Sequence, residues 1–252
     1  MSPARELDAV LFDLFDTLVL FERERLPLIQ VNGRAVHSTA GVLHGVLASR
    51  VPGIGFPAFA EALLGSWQEA ERIRDTTHRE VSAPERFDML FRRLGREAAG
   101  LPTGTVEALL AAHMHELLRA VVFPPHHRQL LRDLRARHRI ALVSNFDYTP
   151  TARLVLEQGQ VADLFDVVIV SADVGWRKPK AVIFDEALRH VGIAAPRALF
   201  VGDRIDIDVA GAQAVGMRTA WVNREGKARP DGTVPPDHEI RDLEELRAIA
   251  GI

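Results

Sequence analysis

The sequence predicts an α/β fold built on a parallel sheet, with a helical region inserted near the start of the chain. From Pro124 onward, short apolar runs alternate with stretches of helical periodicity. Strands separated by helices of about ten residues form right-handed βαβ units, which give a parallel sheet. The run from Ala9 to Phe12 is apolar at every position and ends at Asp13. Such a run is typical of a central strand that is covered on both faces.

Length and composition exclude several classes of protein. Of the 252 residues, 47% are hydrophobic and 26% are charged, which is typical of a folded globular chain. Because no cysteine is present, disulfides and thiolate sites are excluded, and any metal must be held by oxygen or histidine ligands. The net charge of −3 argues against an extended nucleic-acid surface, and no apolar run approaches the ~18 residues of a membrane span. We therefore expect a cytoplasmic protein, monomeric or homodimeric, that binds neither nucleic acid nor membrane.

A hairpin and a group of helices are expected after the first strand. Residues 26–36 form two short extended arms around Asn32-Gly33, the strongest two-residue hairpin signal. Between residues 38 and 120, apolar residues recur at helical spacing. Ser82 has capping-box spacing to Glu85, which predicts a helix from Ser82 to about residue 95. About four helices are expected in this insertion.

The remaining strands and helices follow in alternation. The predicted strands are residues 140–143, 167–170, 199–201, 219–222 and 239–240. The predicted helices are residues 126–138, 151–158, 181–191, 207–215 and 242–249.

Residues at the ends of three strands can act on one ligand, since ligands of open α/β sheets bind beyond the carboxyl ends of the strands. Asp13 follows the first strand. Ser144 and Asn145 follow the second, where a hydroxyl and an amide can hold phosphate or carboxylate oxygens. Lys178 comes after the third strand, directly before a proline, and offers a positive charge to an anion. Each residue alone also has an ordinary explanation as a turn or surface residue.

Three acids fall within six positions after the fourth strand. Asp203 follows the strand directly, and Asp206 and Asp208 lie at the start of the next helix, where the helix dipole favours acids. Without a cation these carboxylates would repel one another and raise their own pKa values. Mg²⁺ takes one or two carboxylates together with water and a substrate phosphate, so the cluster predicts a magnesium site.

Taken in order, these segments resemble the four motifs of the haloacid dehalogenase (HAD) superfamily. The motifs are Phe12-Asp13-x-x-x-Thr17-Leu18, Ser144-Asn145, Lys178-Pro179, and Gly202-Asp203-x-x-x-x-Asp208 with Ala210-Gly211-Ala212. Each motif is weak alone, and the ordered set is highly specific. The resemblance implies a Rossmann-like α/β core in residues 1–20 and 121–252, with a flap and a helical cap in residues 21–120.

The resemblance also implies a role for each motif residue. Asp13 is the expected nucleophile, Thr17 and Ser144 orient substrate oxygens, and Lys178 neutralises charge around Asp13. The expected substrate is a small anionic molecule, contacted by Ser144, Asn145 and Lys178. The expected ligands of Mg²⁺ are Asp13, the backbone carbonyl of Phe15, Asp203 and Asp208.

One position departs from the phosphatases of this superfamily, which usually carry a second aspartate two residues after the nucleophile as general acid and base. Here that residue is Phe15. A positioned general acid or base contributes ~10²–10⁴-fold to the rate. Asp16 is the nearest substitute, and we favour its interpretation as a turn residue. Dehalogenases of the superfamily carry an aromatic residue at this position, and halide departure needs no proton.

The expected activity is Mg²⁺-dependent hydrolysis of a small phosphomonoester through an aspartyl phosphate. A 2-haloacid dehalogenase that uses Asp13 without metal remains open as an alternative, as does a non-catalytic module of the same fold. Electrostatics favours the phosphatase, because Asp203 and Asp208 would oppose an ionised Asp13 at a metal-free site.

Four histidines suggest a further metal site only weakly. None has an accompanying acid at ligand spacing in the sequence, so solvated helix faces are the expectation for them. These residues are His113, His115, His126 and His127.

Overall fold

A six-stranded parallel sheet is the main feature of the computed structural model, which describes residues 7–31 and 33–252. The chain divides into two units. The first contains the described residues up to Leu20 together with Phe123–Ile252, and the second is Phe21–Val122. Across the described ranges, every helix is too short or too polar to cross a membrane. The expectations of a cytoplasmic location and of a monomer or homodimer stay predictions.

Strands and helices alternate through the first unit, and the second unit is mainly helical. The strands are β1 (Ala9–Phe12), β2 (Leu20–Phe21), β3 (Leu28–Val31), β4 (Arg34–His37), β5 (Val121–Val122), β6 (Arg139–Ser144), β7 (Val167–Val170), β8 (Ala198–Gly202), β9 (Arg218–Val222) and β10 (His238–Ile240). The α-helices are α1 (Ala40–Ala48), α2 (Phe56–Thr77), α3 (Ala83–Arg93), α4 (Thr105–Arg119), α5 (Pro125–Arg135), α6 (Thr149–Gln158), α7 (Ser171–Val174), α8 (Ala181–Val191), α9 (Ala210–Ala214) and α10 (Leu246–Ala250).

The order of the strands in the sheet is β10-β9-β8-β1-β6-β7, and all neighbours are parallel. Strand β1 lies at the centre, where Phe12 is paired with Leu142 on one side and Val201 on the other. All four of its residues are fully buried, as their continuous apolar character predicts. The residues that follow β1, β6 and β8 are therefore neighbours at the carboxyl edge of the sheet.

Helix α8 secures strand β8 through an aromatic contact. Its apolar residues recur at helical spacing, and Ile183 and Phe184 are fully buried against the sheet. The ring of Phe184 meets the ring of Phe200 edge to face, with 5.1 Å between centroids. Such a pair adds about 1 kcal/mol beyond the burial of its surface. The strand that carries Gly202 is thus held from one face.

The predicted sheet strands lie where the structure has them, whereas several helices differ at their ends. The predicted helix 126–138 ends at Arg135, and His138 lies beyond it, with its two ring nitrogens 3.1 Å and 3.0 Å from the carbonyl oxygens of Leu7 and Ala250. The predicted helix 207–215 begins as a π-helical turn, Ile205–Val209, and continues as α9. The predicted helix 242–249 begins as a 3₁₀ turn, Leu243–Glu245, and continues as α10.

The second unit consists of a hairpin and four helices, as the sequence predicts. Strands β3 and β4 are antiparallel, with Val31 opposite Arg34. Gly33 in the turn has a φ of +76°, a value that favours glycine. The other predicted turn residue, Asn32, lies outside the described residues. Helix α3 begins after Ser82, whose hydroxyl accepts a hydrogen bond from the backbone N–H of Glu85.

Candidate active site

Residues from four separate segments of the first unit come together at the carboxyl edge of the sheet. Asp13 follows β1, Ser144 ends β6 and Asp203 follows β8. Lys178 lies in the loop between α7 and α8, and Asp208 lies in the π-helical turn. The structure thus brings together the acids and the lysine that the sequence analysis singled out.

Lys178 is surrounded by two carboxylates. Its Nζ donates a hydrogen bond to Asp13 Oδ1 at 2.6 Å and lies 2.8 Å from Asp208 Oδ1. It also lies 5.2 Å from the centroid of the Phe200 ring, within range of a cation–π interaction. The exposed fractions of Asp13, Lys178 and Asp208 are 8%, 2% and 1%. At this degree of burial, removal of Lys178 would leave two carboxylates without a compensating charge, which is strongly destabilising.

Asn145 fixes the backbone of Lys178 through both ends of its amide. Asn145 Nδ2 donates to the carbonyl oxygen of Lys178 at 3.0 Å, and the backbone N–H of Lys178 donates to Asn145 Oδ1 at 2.8 Å. The oxygen and the nitrogen of this one amide therefore hold the loop that presents the ammonium group. The expected contact between Asn145 and substrate stays a prediction.

Gly202 is required because Asp208 packs directly against it. A Cβ atom at residue 202 would lie 2.4 Å from Asp208 Oδ2 and 2.5 Å from Asp208 Cβ, closer than atoms can approach. Asp208 Oδ2 in turn accepts a hydrogen bond from the backbone N–H of Arg204 at 3.0 Å. Gly211 has a similar constraint, since a Cβ there would lie 2.9 Å from the Cα of Pro179. The glycines of the fourth motif thus permit the close packing of the acidic loop.

The three carboxylates form one acidic cluster in the first unit. One oxygen from each of Asp13, Asp203 and Asp208 lies within 4.8 Å of the other two. The backbone of Asp203 is held by Trp221, whose Nε1 donates to its carbonyl oxygen at 2.9 Å. Trp221 lies on β9 and is almost fully buried, so the acidic loop is anchored to the neighbouring strand.

Burial and mutual repulsion shift the pKa values of these groups. Burial raises the pKa of Asp13 to about 6, against the opposing effect of Lys178. Burial, together with Asp13 and Asp208, raises the pKa of Asp203 to about 7. Burial lowers the pKa of Lys178, but the attraction of Asp13 and Asp208 outweighs it and raises that pKa overall. The lysine is therefore an ammonium at neutral pH, and Asp203 binds a proton far more tightly than an ordinary aspartate.

The donor chemistry of the cluster fits Mg²⁺. Three carboxylates face a single ammonium group, which leaves excess negative charge at a buried position. A divalent cation would relieve this repulsion, and oxygen ligands are those that Mg²⁺ prefers. The role of the Phe15 carbonyl as a further ligand stays a prediction.

Two buried hydroxyl groups beside the cluster can serve an anionic ligand. Thr17 Oγ1 and Ser144 Oγ are fully buried and make no hydrogen bond to any residue that the structure describes. Buried hydroxyls without a partner are rare in folded proteins. Thr17 lies in the segment after β1, as Asp13 does, and Ser144 is the last residue of the adjacent strand β6. The arrangement is suited to a ligand whose oxygens complete these hydrogen bonds.

Arg224 was missed by the sequence analysis because its position in a loop rich in Gly, Pro and charge gives no signal. Its Nη2 donates to the carbonyl oxygen of Thr17 at 2.8 Å, and its Nη1 donates to the carbonyl oxygen of Asp16. Asp16 has a φ of +57°, in the left-handed region, which confirms its interpretation as a turn residue. Arg224 therefore holds the loop that carries the residues after Asp13.

The side chain of Phe15 has a packing partner of its own. Its ring lies 5.0 Å from the ring of Phe146, at a tilted angle of 52°. Phe146 follows the Ser144-Asn145 pair, so this contact joins the first and second motifs. An aromatic residue at position 15 is thus part of the packing of the loop.

The family profile of haloacid dehalogenase-like hydrolases matches residues 7–216. The chain belongs to this family of hydrolases. Among its relatives, the pyrimidine 5'-nucleotidase YjjG of Escherichia coli is 31% identical over 121 residues, 48% of this chain and 53% of that protein. The chain thus spans about half the length of that relative. The glyceraldehyde 3-phosphate phosphatase of Methanopyrus kandleri is 27% identical over 244 residues, 95% of each protein.

Solved structures of related hydrolases have the same fold. A HAD phosphatase from Thermococcus onnurineus is 28% identical, with a TM-score of 0.65 over 97% of this chain and 98% of that one. A 2-haloacid dehalogenase from Pseudomonas syringae pv. Tomato DC3000 is 25% identical, with a TM-score of 0.71 and the same coverage. The HAD-hydrolase YfnB from Bacillus subtilis, solved with bound magnesium, is 22% identical, with a TM-score of 0.61 over 98% of this chain and 100% of that one.

The second unit of this hydrolase contains a cavity of about 750 Å³, within the range of small-molecule sites. Apolar residues form most of its lining, and its charged lining residues are the arginines Arg23, Arg34 and Arg86. Arg86 Nη2 lies 3.1 Å from His113 Nε2, and His113 Nδ1 lies 2.9 Å from Thr39 Oγ1. Since a guanidinium only donates, His113 Nε2 accepts and its Nδ1 carries the proton.

Proposed function

We propose that this hydrolase cleaves small phosphomonoesters with the aid of Mg²⁺, using Asp13 as the nucleophile. The observation that carries this proposal is the cluster of Asp13, Asp203 and Asp208 around Lys178 at the carboxyl edge of the sheet. The phosphatase relative that aligns along 95% of its length supports the same reaction class.

In the proposed reaction, one oxygen of Asp13 attacks phosphorus while the bond from phosphorus to the leaving oxygen breaks. This step gives an aspartyl phosphate, which water then cleaves at phosphorus to release inorganic phosphate and restore the carboxylate. Lys178 donates to Asp13 Oδ1 at 2.6 Å and thereby fixes the direction of the other oxygen. When bound, Mg²⁺ would be held by the three aspartates and would neutralise charge on the transferring phosphoryl group.

The two buried hydroxyls are assigned to the phosphoryl oxygens. Thr17 Oγ1 and Ser144 Oγ make no hydrogen bond to the described part of the chain, so each can donate to an incoming oxygen. Lys178 adds a fixed positive charge close to where negative charge develops. Preorganised donors of this kind need no rearrangement during the reaction, which is why they lower the barrier.

Phe15 affects which leaving groups the proposed enzyme can release. An aromatic side chain cannot protonate a departing alkoxide, so the proposed enzyme favours esters whose leaving groups are stable as anions. We expect p-nitrophenyl phosphate to be hydrolysed faster than alkyl phosphates of similar size.

A phosphate-release screen over many phosphomonoesters, run with Mg²⁺ and with EDTA, tests the proposal. We expect turnover that requires Mg²⁺ and that is lost in the Asp13→Asn variant, in which the nucleophile is replaced by a near-isosteric amide. Retention of Mg²⁺-dependent turnover by Asp13→Asn would show that another residue attacks phosphorus.

Dehalogenation is the second candidate, favoured by Phe15 and by the TM-score of 0.71 with a 2-haloacid dehalogenase. In that reaction Asp13 would displace halide from C2 of a small acid, with no proton needed. The acidic cluster opposes it, because Asp203 and Asp208 would remain beside the ionised nucleophile without a cation. Chloride release from 2-chloropropionate in EDTA, with no phosphate release in the screen, would replace the first candidate with this one.

A further inference from the structure

A second cluster of metal-ligating side chains lies in the first unit, apart from the acidic residues described above. His126 and His127 are at the start of α5, and Asp242 precedes the turn Leu243–Glu245. One ligand atom of each lies within 4.8 Å of the other two, and His126 Nε2 is 3.5 Å from Asp242 Oδ2. The expectation of a solvated helix face is wrong for His127, which is buried, whereas His126 is exposed as expected. The acid of this cluster, Asp242, is distant in the sequence and is brought close by folding.

His127 is held in a tautomer that suits a metal ligand. It is 2% exposed, and its Nδ1 lies 2.9 Å from the carbonyl oxygen of Leu18. A carbonyl only accepts, so Nδ1 carries the proton and Nε2 keeps a free lone pair. Histidines that bind metals typically donate their other N–H to a carbonyl or carboxylate in this way. Burial also lowers the pKa of His127, which favours the neutral form that binds metals.

Asp242 is also held in place by one of its carboxylate oxygens, while the other oxygen faces His126. Its Oδ1 accepts a hydrogen bond from the backbone N–H of Glu244 at 2.8 Å, as the cap of the turn Leu243–Glu245. Its Oδ2 is the oxygen that faces His126. Burial raises the pKa of Asp242, but the hydrogen bond from Glu244 and the nearby histidines outweigh this effect and lower it. The group is therefore a carboxylate at neutral pH.

We propose that His126, His127 and Asp242 form a binding site for a transition-metal ion of the Zn²⁺ class. Two imidazole nitrogens and one carboxylate oxygen, with water in the fourth position, are a donor set that suits Zn²⁺. Mg²⁺ prefers oxygen ligands alone, so the two clusters of this protein select different ions. The bound ion would tie the start of α5 to the C-terminal turn, close to the segment that comes after Thr17.

Arg224 is a cation that interacts electrostatically with this site. It lowers the pKa of His127, and Asp242 in turn acts on Arg224. Its guanidinium is committed to the backbone oxygens of Asp16 and Thr17. Its positive charge opposes a bound dication, so we expect moderate affinity and a water that stays exchangeable.

An ordinary surface ion pair between His126 and Asp242 is the competing explanation, and the chain offers a matched control for it. His190 Nδ1 lies 3.4 Å from Glu186 Oε1 on α8, and the two side chains are 40% and 36% exposed. This pair is also a histidine beside a carboxylate, but Arg189 binds the same carboxylate, and the group lacks a buried second histidine among the described residues. It should not bind the metal specifically.

The test is a titration with Co²⁺ in the presence of saturating Mg²⁺, followed by visible absorption, with Zn²⁺ calorimetry in parallel. We expect one equivalent of Co²⁺ with the intense absorption of a four-coordinate ion. The His126→Ala and Asp242→Asn variants should bind at least about tenfold more weakly, and His190→Ala should bind as the wild type does. Asparagine is as good a helix cap as aspartate, so Asp242→Asn keeps the turn and removes only the charge.

A further variant separates this site from the acidic cluster. Asp203→Asn should keep the Co²⁺ absorption, since Asp203 takes no part in the proposed site. Absence of the band in the wild-type protein, equal binding in His126→Ala, or loss of the band only in Asp203→Asn would each overturn the proposal. None of these measurements depends on turnover, so they stand apart from the test of the phosphatase reaction.

Discussion

Replacing Asp203 with asparagine should stabilise the metal-free protein at pH 8. The pKa of Asp203 is raised from 3.8 to about 7, first by burial and then by Asp13 and Asp208. A carboxyl group with a higher pKa in the folded state binds its proton more tightly when folded. The bound proton therefore stabilises the folded state fully at pH values below the pKa of the unfolded state, and this stabilisation is lost as the pH rises from about 4 to about 7. Asparagine does not titrate, so the variant avoids this loss.

The size of the effect is set by the pKa shift. At ~1.4 kcal/mol per pH unit, a rise from 3.8 to about 7 corresponds to an upper limit of ~4 kcal/mol. Asp203 is partly exposed, and solvent screens its interactions, so we expect a gain of about 1–3 kcal/mol in the free energy of unfolding. For a chain of this size the gain corresponds to roughly 3–10 °C in Tm. At pH 5 the gain should be less than half as large.

Urea and thermal denaturation in EDTA at pH 5 and pH 8 measure this difference. Asp206→Asn is the matched control, because Asp206 lies in the same loop but is exposed and paired with Arg204 at 2.9 Å. Its effect should stay within about 0.5 kcal/mol at both pH values. Addition of Mg²⁺ should stabilise the wild type more than Asp203→Asn. Equal gains at pH 5 and pH 8, or an equal gain in Asp206→Asn, would refute the reasoning.

Three further predictions concern the same site. Phe15→Asp should raise turnover of alkyl phosphates by up to ~10²-fold, because it adds a general acid, whereas the control variant Phe15→Leu should not. Steady-state assays compare alkyl phosphates with p-nitrophenyl phosphate, and an equal change for both substrates would show that the acid is supplied elsewhere. Gly202→Ala should destabilise the protein by roughly 1–3 kcal/mol in urea denaturation and should also weaken Mg²⁺ binding, since the new Cβ would lie 2.4 Å from Asp208 Oδ2. The control variant Gly45→Ala, whose Cβ would meet nothing within 4 Å, should not weaken Mg²⁺ binding. The affinity for Mg²⁺ should fall about tenfold per pH unit just below pH 7 and more steeply below pH 6, because first Asp203 and then Asp13 must release a proton. Calorimetry at pH 5.5, 6.5 and 8 would contradict this with a flat profile.

The central part of the site could be predicted because the residues directly after parallel strands gather at the carboxyl edge of the sheet. Asp13 and Asp203 come after strands that are neighbours in the sheet, and their apolar runs end abruptly at those acids. Lys178 was singled out by its place before Pro179. Strand positions and the order of motifs can be read from the sequence pattern, so these residues could be predicted from the sequence.

The remaining contacts could not be predicted, because a sequence pattern does not give side-chain direction between distant segments. The side-chain amide of Asn145 holds the backbone of Lys178 through both its oxygen and its nitrogen. The pairing of His126 with Asp242 depends on how α5 and the C-terminal turn pack together, which no spacing rule reports. Arg224 lies in a loop whose composition predicts only exposure, yet it holds the backbone of Thr17.

The central place of β1 has a consequence for synthesis on the ribosome. Ala9–Phe12 emerges before both of its partner strands, which are Arg139–Ser144 and Ala198–Gly202. At about 5–20 residues per second, the earlier partner emerges on the order of ten seconds later. During that interval the helical unit Phe21–Val122 is already complete and free to fold, whereas the first strand is an apolar segment without neighbours. We therefore expect the exposed strand Ala9–Phe12 of the nascent chain to bind a chaperone until the last third of the chain has been translated.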